Sequence, residues 1–128
     1  MEIGIKGTAH LTVTEEYTAA KVGSGLLPVF STPSMIALLE KAACECVAPY
    51  MDEGMSSVGT LLNIKHLAAT PISMEVTAIA TLTEIDGRRL VFDIKVHDET
   101  TLIGEGIHER FIINSEKFLA KTNAKITK

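Results

Sequence analysis

Tryptophan is absent from this 128-residue chain, and four Phe and two Tyr are its only aromatics besides histidine. Aliphatic and small side chains must therefore fill any core. Cysteine is almost as scarce. Cys44 and Cys46 stand two apart in one segment and make no disulfide framework. Basic charge is in deficit, with 12 Lys and Arg against 16 Asp and Glu and a net charge of −4. That balance argues against a general nucleic-acid binder, which must neutralise phosphates. No apolar run approaches the roughly 20 residues that span a bilayer. The opening Met1-Glu2-Ile3-Gly4-Ile5-Lys6 lacks a charged-then-apolar leader pattern, so a cytoplasmic location with no membrane partner is expected. What is present is ordinary globular composition, 46% hydrophobic and 22% charged, without repeats or linkers. It fits one domain over residues 1–128.

Punctuation along the chain predicts an α+β order. Gly7 to Thr14 is rich in Thr and Val and reads as a strand. Val22-Gly23-Ser24-Gly25-Leu26-Leu27-Pro28 is a flexible stretch carrying apolar residues, a candidate cover for something beneath it. Thr32-Pro33-Ser34 signals a helix start, with Thr32 as cap and Pro at the first helical position; Pro49 and Gly54 stop it after about Ala48. Strands are then expected over Ser57 to Leu67, Glu75 to Ile85, Arg88 to His97 and Thr101 to Ile113. Asp86-Gly87 is read as a hairpin turn, and Ser115 opens a Lys-rich C-terminal helix or tail. One apolar helix and a strand meander bury each other most simply as a sheet wrapped on a helix.

At 100° per residue, Met35, Ile36, Leu39, Ala43, Cys46, Val47 and Tyr50 share one side of the helix, opposite Lys41, Glu45, Ala37 and Ala48. Glu40 stands apart from that polar strip, between Val47 and Cys44 at the edge of the apolar face. It is either a boundary carboxylate with a buried stem or a functional group facing a cleft. Thr32 likewise has two readings: a helix cap, or a hydroxyl beside free N–H groups that can hold a thioester carbonyl or oxyanion. His66 closes a strand before Ala68-Ala69-Thr70-Pro71, a common place for a site. His10, His97 and His108 have no ligand spacing with each other or with His66, and no metal motif is present.

Other motifs carry less. Gly104-Glu105-Gly106 lacks the third glycine of a dinucleotide fingerprint, and Gly23-Ser24-Gly25 is no nucleophile elbow. Cys44 and Cys46 read as inert packing residues. His108 and Arg110 share one face of a strand, expected to be solvated, with Glu109 on the other. The four lysines from Lys117 onward read as a solvated tail, or as a contact for an acidic ligand.

Thr32, Glu40, Gly59 and His66, with Ala48-Pro49-Tyr50, Val58-Gly59-Thr60 and His66-Leu67-Ala68-Ala69-Thr70-Pro71, resemble the fluoroacetyl-CoA thioesterase group of hotdog-fold proteins. Gly106-Ile107-His108-Glu109-Arg110 and Glu116-Lys117-Phe118 are also similar, so the likeness runs from about Val29 to Lys121. The resemblance implies a long central helix wrapped by a mainly antiparallel sheet, a homodimer, and hydrolysis of an acyl-CoA thioester to a carboxylate and free thiol. It implies Thr32, Glu40 and His66 as the catalytic set, with the Gly59 backbone and Arg110 helping to place the substrate. No cofactor is implied beyond the coenzyme A of the substrate itself.

The chemistry is consistent with that set. Glu40 can attack the carbonyl or act as base on water, Thr32 can orient carbonyl or carboxylate, and His66 can position water or transfer a proton. If residues 32 to 40 are all helical, Thr32 and Glu40 stand about 12 Å apart along the axis. Then either the chain folds back at Thr32 or two subunits share the site, and a dimer is expected. One feature departs from the family, whose selectivity is associated with an aromatic lid. Here the matching segment reads Leu26-Leu27-Pro28, which suits an aliphatic lid over a small or medium acyl group. A non-hydrolytic acyl-CoA-binding module, a hydratase-type hotdog enzyme and a purely structural dimer are the rival readings.

Overall fold

The computed structural model describes residues 1–126. A five-stranded antiparallel sheet has the order β1-β3-β4-β5-β2. In chain order the strands are β1 (Lys6–Thr12), β2 (Met55–His66), β3 (Glu75–Asp86), β4 (Arg89–His97) and β5 (Leu102–Asn114). Helix α1 (Ala19–Val22) and a 3-10 turn at Glu15–Tyr17 precede the long α2 (Thr32–Val47), and α3 (Ser115–Asn123) follows the last strand. Among the described residues no helix is long and apolar enough to cross a membrane.

Helix α2 begins one residue earlier than the punctuation predicts. Ser31, not Thr32, is the cap: its backbone is extended and its Oγ accepts from the Ser34 N–H at 3.1 Å. Thr32 is the first helical residue and Pro33 the second, so the Thr32 hydroxyl is released from capping. The predicted hairpin also shifts by one. Asp86 pairs with Arg89, leaving Gly87 and Arg88 as the two loop residues, with φ +61° at Gly87. Neither α1 nor the 3-10 turn is foreshadowed; both are too short to carry a periodic pattern. The C-terminal helix is real, capped by the Asn114 side chain; Lys128, last of the four lysines, lies outside the described residues.

Helix α2 packs chiefly on β1 and β3. Met35, Leu38, Leu39, Ala42, Ala43, Cys46 and Val47 are its buried residues, facing Val76, Ala78, Ala80 and Leu82 from β3 and Leu90, Phe92 and Ile94 from β4. Leu38 and Ala42 join the expected face because β1 closes over that flank. Gly7 makes this possible, since a Cβ there would collide with the Ala42 carbonyl and the Cys46 side chain. Truncating Leu39 to Ala in such a core typically costs about 2–5 kcal/mol. Tyr50 is exposed rather than buried, because α2 has given way to a 3-10 turn before it and the helical phase no longer applies. Cys44 is exposed, so only Cys46 is a packing cysteine.

The offset of α2 toward β1 and β3 has a consequence at the other side. Strand β2 is an edge strand, hydrogen-bonded to β5 alone, and is exposed from Gly59 to Asn63. Its helix-facing side is therefore left as the floor of an open groove beside α2.

Candidate active site

Helix α2 and strand β2 run in opposite directions along this groove. The i, i+4, i+8 positions Thr32, Ile36 and Glu40 share one face of the helix. On β2, His66, Ile64 and Leu62 point to the same side of the sheet, since they pair with Gly104, Gly106 and His108 on β5. After a bulge at Thr60 that side is resumed by Gly59, paired with Arg110. The groove thus has a polar group at each end and aliphatic side chains between.

At one end Thr32 Oγ1 and His66 Nδ1 are hydrogen-bonded at 2.7 Å. They border a cavity of about 360 Å³ that also meets Ser24, Phe30 and Ala68. His66 Nε2 is buried and has no hydrogen-bond partner among the described residues. Burial pushes the His66 pKa below its usual 6.5, partly offset by the Ala68 backbone. The ring is therefore neutral at neutral pH, with one nitrogen committed to Thr32 and the other uncommitted.

At the other end Glu40 Oε2 lies 3.8 Å from Arg110 Nη1, an ion pair without a direct hydrogen bond. Arg110 is held on three sides. Its Nε donates to Ser57 Oγ at 2.8 Å, its Nη2 to the Ser57 carbonyl at 2.9 Å, and its Nη1 lies 3.2 Å from His108 Nε2. His108 Nδ1 is 2.9 Å from the Leu61 carbonyl. Gly59 is wedged against the carboxylate: a Cβ there would stand 2.6 Å from Glu40 Oε2 and 3.2 Å from His108 Cε1.

His108 and Arg110 are 0% and 6% exposed, which overturns the solvated face expected for them. They lie on the helix-facing side of β5, an interior strand between β4 and β2. Alternation identified their shared face correctly but not which face it was. Ser57 and the Leu61 carbonyl gave no sequence signal as partners of this cluster. Leu26 and Leu27 are 93% and 64% exposed in the bend before α2, outside the core of this chain. Among the described residues no three His, Cys, Asp or Glu side chains converge on a metal-sized point.

Because residues 32 to 40 are helical throughout, the first of the two expected arrangements is ruled out: the chain does not fold back at Thr32. Within one chain the structure brings Thr32 to His66, and Glu40 to Gly59 and Arg110, but leaves the two groups about two helical turns apart.

An antiparallel sheet wrapped on one long central helix is the architecture of hotdog proteins. A hot-dog-like protein from Thermanaerovibrio acidaminovorans shares the fold at TM-score 0.90 and 21% identity, covering 100% of this chain and 95% of that one. A fluoroacetyl-CoA thioesterase from Streptantibioticus cattleyicolor is 40% identical over 116 residues, 91% of this chain and 84% of the relative. The solved structure of the fluoroacetyl-CoA thioesterase FlK is 36% identical at TM-score 0.93, covering 98% of this chain and 97% of that one. The family model of fluoroacetyl-CoA-specific thioesterases matches residues 13–116, reaching further toward the N-terminus than the motifs that begin at Val29. This chain belongs to that family.

Proposed function

We propose that this protein hydrolyses the thioester of a small or medium acyl-CoA to a carboxylate and free CoA, using Glu40, Thr32 and His66. The observation that carries the reading is the pair of unlike polar ends on one groove in a chain of this family. Glu40 takes the proton of a water that attacks the thioester carbonyl, or attacks it directly to give an anhydride that water then opens. The developing oxyanion is met by the Thr32 hydroxyl at the start of α2. The C–S bond breaks and the leaving thiolate takes a proton from a water positioned by His66, while the proton that Glu40 took passes to solvent and restores the carboxylate. No cofactor is required; the CoA leaves with the sulfur. Arg110 and the Gly59 backbone hold the carboxylate end, and Leu26 and Leu27 lie over the acyl group as an aliphatic lid, favouring acyl chains longer than fluoroacetyl.

The working unit in this reading is a homodimer. β2 offers an unpaired backbone edge with Leu61 and Leu62 exposed, an arrangement that invites a second strand. Antiparallel pairing of two β2 strands near Leu61 sets the His66 end of one protomer beside the Glu40 end of its partner, which supplies the missing juxtaposition. The test is thiol release from acetyl-, butyryl- and hexanoyl-CoA, with sedimentation of the same sample. Turnover that disappears in Glu40→Ala while the fold persists supports the reading. Binding without turnover across the panel, or full activity as a monomer, overturns the hydrolytic or the dimeric part respectively.

A further inference from the structure

We propose that His108 is a positioning residue for this reaction: as the Nδ1–H tautomer it accepts the Arg110 Nη1–H on Nε2 and so aims the guanidinium at Glu40. The inference rests on the hydrolytic reading above and deepens it. The bulge at Thr60 breaks the β2–β5 register between Gly59 and Leu61. It leaves the Leu61 carbonyl 2.9 Å from His108 Nδ1. A carbonyl only accepts, so Nδ1 carries the proton. In the neutral ring Nε2 is then an acceptor, and the group 3.2 Å from it, Arg110 Nη1, is a donor that cannot be anything else. Each bond in the chain Leu61 carbonyl, His108, Arg110 has a single polarity, and the chain ends 3.8 Å from Glu40 Oε2.

The surroundings hold the ring in this state. His108 is fully buried and stacks on Phe92 from β4 with ring centroids 6.1 Å apart. The charged groups facing it are Arg110 from β5 and Glu40 from α2, and Glu109 acts on it from the opposite face of β5. Burial, reinforced by Arg110, pushes its pKa below the usual 6.5, against the opposing Leu61 hydrogen bond and the two carboxylates. Protonation at Nε2 would replace the acceptor by a donor and set a second cation against Arg110. Below the folded pKa the guanidinium is then displaced from Glu40, so His108 contributes to the acid limb of the rate.

The two conservative replacements separate positioning from packing. Glutamine places an acceptor oxygen where Nε2 stands. Asparagine reproduces the Nδ1–H donor to Leu61 but is too short to reach Arg110. kcat and KM for butyryl-CoA are measured against pH for the intact protein, His108→Gln and His108→Asn. The expected result is a kcat loss of roughly tenfold to a hundredfold in His108→Asn, with KM within about twofold, and a smaller loss in His108→Gln. Wild-type kcat in His108→Asn would overturn the proposal. Should either variant lose its cooperative melt, the 15N histidine spectrum of the unmodified protein at about pH 7.5 decides. A neutral ring protonated at Nδ1 supports the proposal and protonation at Nε2 overturns it. That spectrum does not depend on turnover, so failure of the hydrolytic reading and failure of this inference are distinguishable.

Discussion

At the Thr32–His66 end of the groove a hydroxyl and an imidazole meet at the mouth of a cavity, tied by one hydrogen bond. At the Glu40–Arg110 end a carboxylate faces a guanidinium that is itself fixed by Ser57 and His108. One end is open and uncharged, the other braced and ionic. The same helix face supplies both, so the difference comes from what β2 and β5 set opposite it. Interior strand β5 can bury an arginine because Ser57 on β2 and His108 on β5 itself accept from it; at the end of edge strand β2, His66 keeps a nitrogen with no partner among the described residues. The braced end is suited to hold a charge in place and the open end to admit a substrate.

Removing the charge at the braced end is the strongest way to break this contrast. Glu40→Gln should lower kcat about a thousandfold, in the range for loss of a general base, with little change in Tm because no hydrogen bond anchors this carboxylate. Steady-state thiol release and a thermal melt check both halves. Gly59→Ala comes next. It keeps every functional group but pushes a methyl into the space of the Glu40 carboxylate, so a loss of roughly a hundredfold is expected from displacement alone. An unchanged rate would mean that Glu40 works from a different rotamer.

The open end should respond less. Thr32→Val preserves shape and deletes the 2.7 Å bond to His66; about a tenfold fall in kcat is expected, and because Ser31 is the cap, Tm should hold. The pH dependence of stability joins the two ends, since both His66 and His108 have folded pKa values below 6.5. Keeping these rings neutral adds stability that is complete above the unfolded value of about 6.5 and is lost as pH falls from there through the folded values. Tm should therefore decline between about pH 7 and pH 5, and His66→Asn should flatten part of that decline. The smallest effect is expected at Leu26→Phe. With Leu26 93% exposed, stability should not move, while a lid role would appear as a changed ratio of rates between fluoroacetyl-CoA and butyryl-CoA.

The sequence on its own determined the order of the long helix and the five strands, because hydrophobic period and Gly/Pro punctuation are local properties. It also singled out Glu40, as a carboxylate on the wrong side of a helical wheel, and the spacing of Thr32, Glu40 and His66 that carries the family. Tertiary structure alone decided which face of β5 is inside. Alternation pairs His108 with Arg110 but is blind to which side of the sheet the helix lies on. It decided, too, that Ser31 and not Thr32 caps α2, since two adjacent hydroxyls are equal candidates until the backbone turns between them. And it decided the bulge at Thr60, where one unpaired residue redirects the Leu61 carbonyl toward His108. Such a bulge depends on the register of two strands distant in sequence, where Gly59 pairs with Arg110 and Leu61 with Glu109, and no local pattern encodes it.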